Sequence, residues 1–99
     1  MNATDAEACA YVLNVVADDY ESIDTVRKEA CQWAAEEGKA LSLDDASQAL
    51  LRMQREGLID CYRFDAARGV YVAETVSDSG SLEGRWFLIS AKGLAKLRE

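Results

Sequence analysis

Histidine and proline are both absent from this 99-residue sequence. Without histidine there is no serine–histidine or cysteine–histidine nucleophilic pair, and most catalytic zinc sites are excluded. Cysteine occurs three times, at Cys9, Cys31 and Cys61, with no C-x-x-C pair to hold a metal. The expectation is three reduced, buried thiols. The longest nearly apolar stretch, Ala10 to Ala17, is broken by Asn14 and falls far short of the ~20 residues of a membrane span. The first ten residues, MNATDAEACA, hold no positive charge and no apolar core of signal-peptide length, so a cytoplasmic protein is expected. Gly80 and Gly84 stand in a polar stretch without the Lys-Ser/Thr of a phosphate loop. The acid pairs Asp18-Asp19, Glu36-Glu37 and Asp44-Asp45 are sequence neighbours, and neighbours on a helix do not converge on one site. Taken together, these absences predict a protein that is not an enzyme and has no cofactor, metal or small-molecule substrate.

What is present fits a soluble globular chain. Apolar residues make up 49% and charged residues 29%, and the length suits one domain spanning residues 1–99. Eighteen acids against eleven bases give a net charge of −7. Most of that excess, −6, lies in residues 1–40. Any surface able to meet an anion must therefore come from the second half.

Four helices and a run of short strands are expected. Thr4 and Glu7 form a capping box for a helix from about Asp5 to Asp18, with Ala6, Cys9, Ala10, Leu13, Val16 and Ala17 on its inner face. Ser22 caps a second helix, Ile23 to Glu37, stopped by Gly38. Its inner face holds Ile23, Val26, Ala30, Trp33 and Ala34, with Arg27 and Lys28 in solvent. Ser42 and Asp45 box a third helix, Leu43 to Glu56, stopped by Gly57. Leu43, Ala46, Ala49, Leu50 and Met53 face inward on it; Ser47, Gln48, Arg52 and Arg55 point away. Strands follow at Cys61–Phe64, Val70–Val76 and Arg85–Ile89, the first two joined by a turn at 65–69 that needs Gly69. Ser90 caps a last helix, Ala91 to Arg98. Gly93 weakens that helix by up to about 1 kcal/mol, which predicts a close contact there.

This order of helices, hairpin and short helix resembles the winged helix-turn-helix family of bacterial transcription regulators. The stretch Ala46-Ser47-Gln48-Ala49-Leu50-Leu51-Arg52-Met53-Gln54-Arg55-Glu56-Gly57-Leu58-Ile59 is similar to a recognition helix entering the first wing strand. The stretch Trp86-Phe87-Leu88-Ile89-Ser90-Ala91-Lys92-Gly93-Leu94-Ala95-Lys96-Leu97 is similar to the family's aromatic-x-Leu-Thr-x-x-Gly-x-x-x-Leu ending, with Ser90 in the threonine place. The resemblance implies an α+β fold with a three-helix core, a β-hairpin wing and a short C-terminal helix. It also implies that Ser47 and Gln48 meet bases or phosphate, that Arg52 and Arg55 meet the backbone, and that the wing tip is Ser77 to Gly84, flanked by Arg85.

Charge argues against that use. The third helix holds Asp44, Asp45 and Glu56 against Arg52 and Arg55, with both aspartates at the end that would enter the groove. The segment 77–84 carries Asp78 and Glu83 and no base, whereas Lys and Arg normally supply most of the affinity for a phosphate backbone. Leu51 stands where the family commonly has a polar residue. It implies contact with an apolar surface: a partner protein, a second copy of the chain, or the long second helix. Tyr62 and Tyr71 are expected to flank one another across the hairpin, and Trp33, Trp86 and Phe87 to pack in the core. The expectation is a regulatory module that binds protein through its third helix, Leu51 and the hairpin, with weak or no DNA affinity. A dimeric DNA-binding regulator using Ser47, Gln48, Arg52, Arg55 and Arg85 is the alternative.

Overall fold

A computed structural model describes all residues, 1–99. The chain runs α1 (Asp5–Val15), β1 (Glu21–Ser22), α2 (Ile23–Glu36), α3 (Leu43–Arg55), β2 (Ile59–Asp65), β3 (Val70–Ala73), a single 3-10 turn (Ser79–Leu82), β4 (Trp86–Ile89) and α4 (Ala91–Leu97). The four strands form one antiparallel sheet in the order β1-β4-β2-β3. This α+β arrangement is consistent with a winged-helix-like layout. No helix is long and apolar enough to cross a membrane.

The helix starts follow from the caps. Thr4 and Glu7 exchange side-chain and backbone bonds at α1, as Ser42 and Asp45 do at α3, while Ser22 and Ser90 cap α2 and α4. Gly38 and Gly57 take the left-handed conformation that ends α2 and α3, and Gly69 takes it in the hairpin turn. α1 stops at Val15, three residues before Asp18, because the Val16 carbonyl leaves the helix and accepts the Ile89 amide at 3.0 Å. β1, absent from the sequence expectation, is too short to show a pattern; it pairs Ser22 with Trp86 and Glu21 with Phe87.

One core joins the three long helices to the inner face of the sheet. Ile59, Cys61 and Phe87 point into it from β2 and β4, and meet Val12, Val26, Leu50 and Met53 among others. Such burial stabilises by about 1.5–3 kcal/mol for each large side chain. Two helical faces sit differently from the periodicity. α1 buries Ala8, Tyr11, Val12, Leu13 and Val16, while Ala6 and Ala10 are exposed. Burying Tyr11 and Val12 removes more apolar area than burying alanines does, so the helix rolls that way. Trp33 is 41% exposed on α2 and Leu43 lies in solvent, rather than in the core. Phe87 does pack in the core, as expected.

α4 is pinned by contact rather than by length. Its Gly93 lies so close to β2 that a Cβ there would sit 2.0 Å from the Leu58 carbonyl oxygen. The Ser90 hydroxyl donates to Gly57 O at 2.6 Å and accepts the Gly93 amide.

Candidate functional site

β3 ends at Ala73, short of the expected Val76, because the chain leaves the sheet for α3. The Gln54 side chain on α3 accepts the Val76 amide at 3.2 Å and donates to the Val76 carbonyl. From there the chain lays the 3-10 turn against α3 and buries Leu82 completely. Asp78 caps that turn by accepting from the Ser81 amide and hydroxyl. Segment 77–84 is therefore not a wing tip. The hairpin tip is the turn at 65–69, where Asp65 holds the Ala67 and Arg68 amides and the Arg68 guanidinium.

This folded-back segment decides what α3 can offer. Ser47, Leu51 and Gln54 share one side of the helix, and that side is the one it covers. Ser47 is 2% exposed, and its hydroxyl donates to Leu43 O and accepts from Arg27 Nε at 2.8 Å. Arg27, expected in solvent, reaches across to bind Ser47 and the Glu83 carboxylate together. Leu51 is 5% exposed. Its apolar partner is the chain's own core, not an outside surface. Ser47 and Leu51 are thus withdrawn from any contact with DNA or with another protein.

Gln48, Arg52 and Arg55 remain exposed along one stripe, beside Asp45 and the Asn2 and Asp5 end of the molecule. The stripe is poor in free cations. Arg52 Nε donates to Glu56 at 3.0 Å. Arg85 lies half-buried with its Nε 3.3 Å from Glu74, the same carboxylate that Arg63 approaches, and Arg68 is bound to Asp65. Arg55 alone among the second-half arginines near α3 and the hairpin makes no ion pair within the chain. The bond to Arg68 also holds the Asp65 carboxyl below its usual range.

The outward face of the sheet is the feature that sequence reasoning missed. Alternation along β2 sends Ile59 and Cys61 inward, hence Asp60, Tyr62 and Phe64 outward. Tyr71 pairs with Phe64 across β3, and Trp86 with Tyr62 across β4. Tyr20, from the α1–β1 loop, folds over them. Its ring stacks on Tyr71 at 3.9 Å between centroids and meets Tyr62 edge-on at 5.0 Å. Tyr71 in turn meets Phe64 and Trp86 edge-on. Tyr62 and Tyr71 are thus bridged by Tyr20 rather than paired directly, since Tyr62 stands opposite Ala73. Burial first, and then the charge of Asp60, push the Tyr62 phenol up. The signal was legible in Cys61-Tyr62-Arg63-Phe64: once Cys61 is inward, both aromatics must face out.

The thiols occupy three environments. Cys61 is buried beneath the sheet, and desolvation pushes its pKa up to about 11. Cys9 and Cys31 are only half-buried, contrary to expectation, and burial raises both. Cys9 lines an apolar groove of about 420 Å³ between α1, α3 and α4.

No family model matches the chain, and no curated protein or solved structure is significantly similar to it.

Proposed function

We propose that the chain is a winged helix-turn-helix domain acting as a non-enzymatic regulatory module, which binds protein and has weak or no DNA affinity of its own. The observation that carries this reading is the state of α3. Its groove-side serine is buried under the chain's own 77–84 segment, its start is acidic, and Arg55 is its one arginine without an intramolecular partner. Releasing Arg52 from Glu56 would cost little, because exposed pairs contribute about 0–1 kcal/mol. The stronger objection is that the exposed carboxylates Asp44 and Asp45 would stand beside phosphates. Protein binding moves accordingly from α3 to the sheet, where aromatic side chains face outward.

One arrangement favours the second reading, a dimeric DNA-binding regulator: Gln48, Arg52 and Arg55 do share an exposed stripe, and two copies would double it. Anisotropy titration of a labelled mixed-sequence duplex separates the two. The module reading expects no binding at about 50 mM salt, where phosphate contacts are strongest. Binding that weakens steeply with salt and is abolished by Arg52→Glu with Arg55→Glu would overturn it.

A further inference from the structure

Five of the eight aromatic side chains, Tyr20, Tyr62, Phe64, Tyr71 and Trp86, gather on the side of the sheet away from the helices. No helix covers them, and Phe64 is 45% exposed. The charge of this face is of one sign. Asp60 stands in the outward row beside Tyr62, and exposed Asp18 and Asp19 lead into Tyr20. The nearby cations project the other way: Arg63 and Arg85 alternate with Tyr62 and Trp86 and meet Glu74 on the opposite side. Beside the rings lies an open strand edge, because β3 is last in the sheet. The Glu74 amide donates inward to Cys61 O at 2.9 Å. In an antiparallel ladder the direction alternates, so the amides and carbonyls of Tyr71 and Ala73 point outward, away from β2.

Resting on the reading of the chain as a protein-binding module, we infer that this face and the β3 edge take an extended cationic segment of a partner protein. Its backbone pairs with Tyr71 and Ala73 by strand addition, and its arginines or lysines lie over the tyrosine and tryptophan rings between Asp18 and Asp60. The observations select against other occupants. Single-stranded nucleic acid also stacks on aromatics, but its sites need a positively charged groove, and this face holds only acids. A second copy docked through the same face would bring a further −7 of net charge and set Asp18 and Asp60 against the acids of its own sheet face.

The test titrates the labelled full-length chain by NMR with two synthetic peptides, one alternating arginine and valine, the other alternating glutamate and valine. The arginine peptide should saturate and shift the Tyr71 and Ala73 amides and the Trp86 indole, and the glutamate peptide should not bind. Asp18→Lys with Asp60→Lys, both exposed and without side-chain hydrogen bonds, should weaken binding about tenfold or more. Ala73→Pro removes an outward amide while leaving the β2–β3 ladder, and should abolish the shift at Tyr71. Four results would overturn the inference: no saturable shift, shifts confined to α1 and α2, equal binding of the acidic peptide, or binding unchanged in the charge variant. Concentration-dependent dimerisation that occupies β3 without peptide would overturn it too, by giving the edge to a second copy. Duplex binding through Arg55 and loss of peptide binding are separate results; the first overturns the module reading, the second this face alone.

Discussion

α3 and the outward face of the sheet present opposite surfaces to solvent. α3 carries arginines, yet they are tied down or flanked by carboxylates, and the side with Ser47 and Leu51 lies under the chain's own return segment. The sheet face carries rings and acids, with no helix laid over it. A helix can thus keep the sequence pattern of a recognition helix while its neighbours cover one side of it, here Ser47 and Leu51. The decisive side chains lie outside the helix: Arg27 on α2, and Val76, Leu82 and Glu83 on the return segment. Helix identity alone does not set what a helix contacts.

The contrast can be broken from several sides. Gly93→Ala should have the largest effect, since its Cβ would strike the Leu58 carbonyl and force α4 off the sheet. A loss of about 3 kcal/mol in urea unfolding is expected, at the upper end for overpacking. Thiol reactivity should come next. At pH 8, Cys61 with its pKa near 11 holds about a hundredfold less thiolate than an ordinary cysteine, so it should be the slowest of the three toward a disulfide reagent. The folded pKa lies above the unfolded one. The protonated Cys61 therefore contributes stability that is fully present below about pH 9 and is lost as pH rises through about 11, which alkaline unfolding midpoints would register.

Smaller effects are expected within α3 itself. Gln54→Ala strands the Val76 amide and carbonyl and should cost about 2 kcal/mol, with faster hydrogen exchange across segment 77–84. Ser47→Ala removes the bonds to Arg27 and to Leu43 O and should cost about 1 kcal/mol. Gln48→Ala and Arg55→Ala, on the open stripe, should change stability by no more than about 0.5 kcal/mol. A large loss from either would mean that the stripe, too, is engaged by the rest of the fold.

Local chemistry in the sequence accounts for much of this architecture. The cap residues Thr4, Ser22, Ser42 and Ser90 mark all four helix starts, and Gly38, Gly57 and Gly69 mark the turns, because each acts on its own backbone neighbours. Gly93 announced a close approach and makes one. What the sequence hid were choices settled by distant contacts. Segment 77–84 is polar enough to read as a solvent loop, yet Leu82 anchors it and Gln54, 22 residues from Val76, draws it onto α3. That one event buries Ser47 and leaves residues 65–69 as the hairpin tip. α1 was ambiguous for another reason: Ala8 to Leu13 is an unbroken apolar run, so periodicity could not select a face, and the larger side chains did. The aromatic face was hidden because it joins Tyr20, from a loop, to rings on three strands whose pairing is set by distant contacts.

The central claim, that α3 does not present a DNA-reading surface, is tested most directly by amide shifts of the labelled protein against a mixed-sequence duplex at about 50 mM salt. The prediction is that the Gln48, Arg52 and Arg55 amides stay in place as duplex is added. Saturable shifts along that stripe, accompanied by release of the Ser47–Arg27 contact, would contradict it.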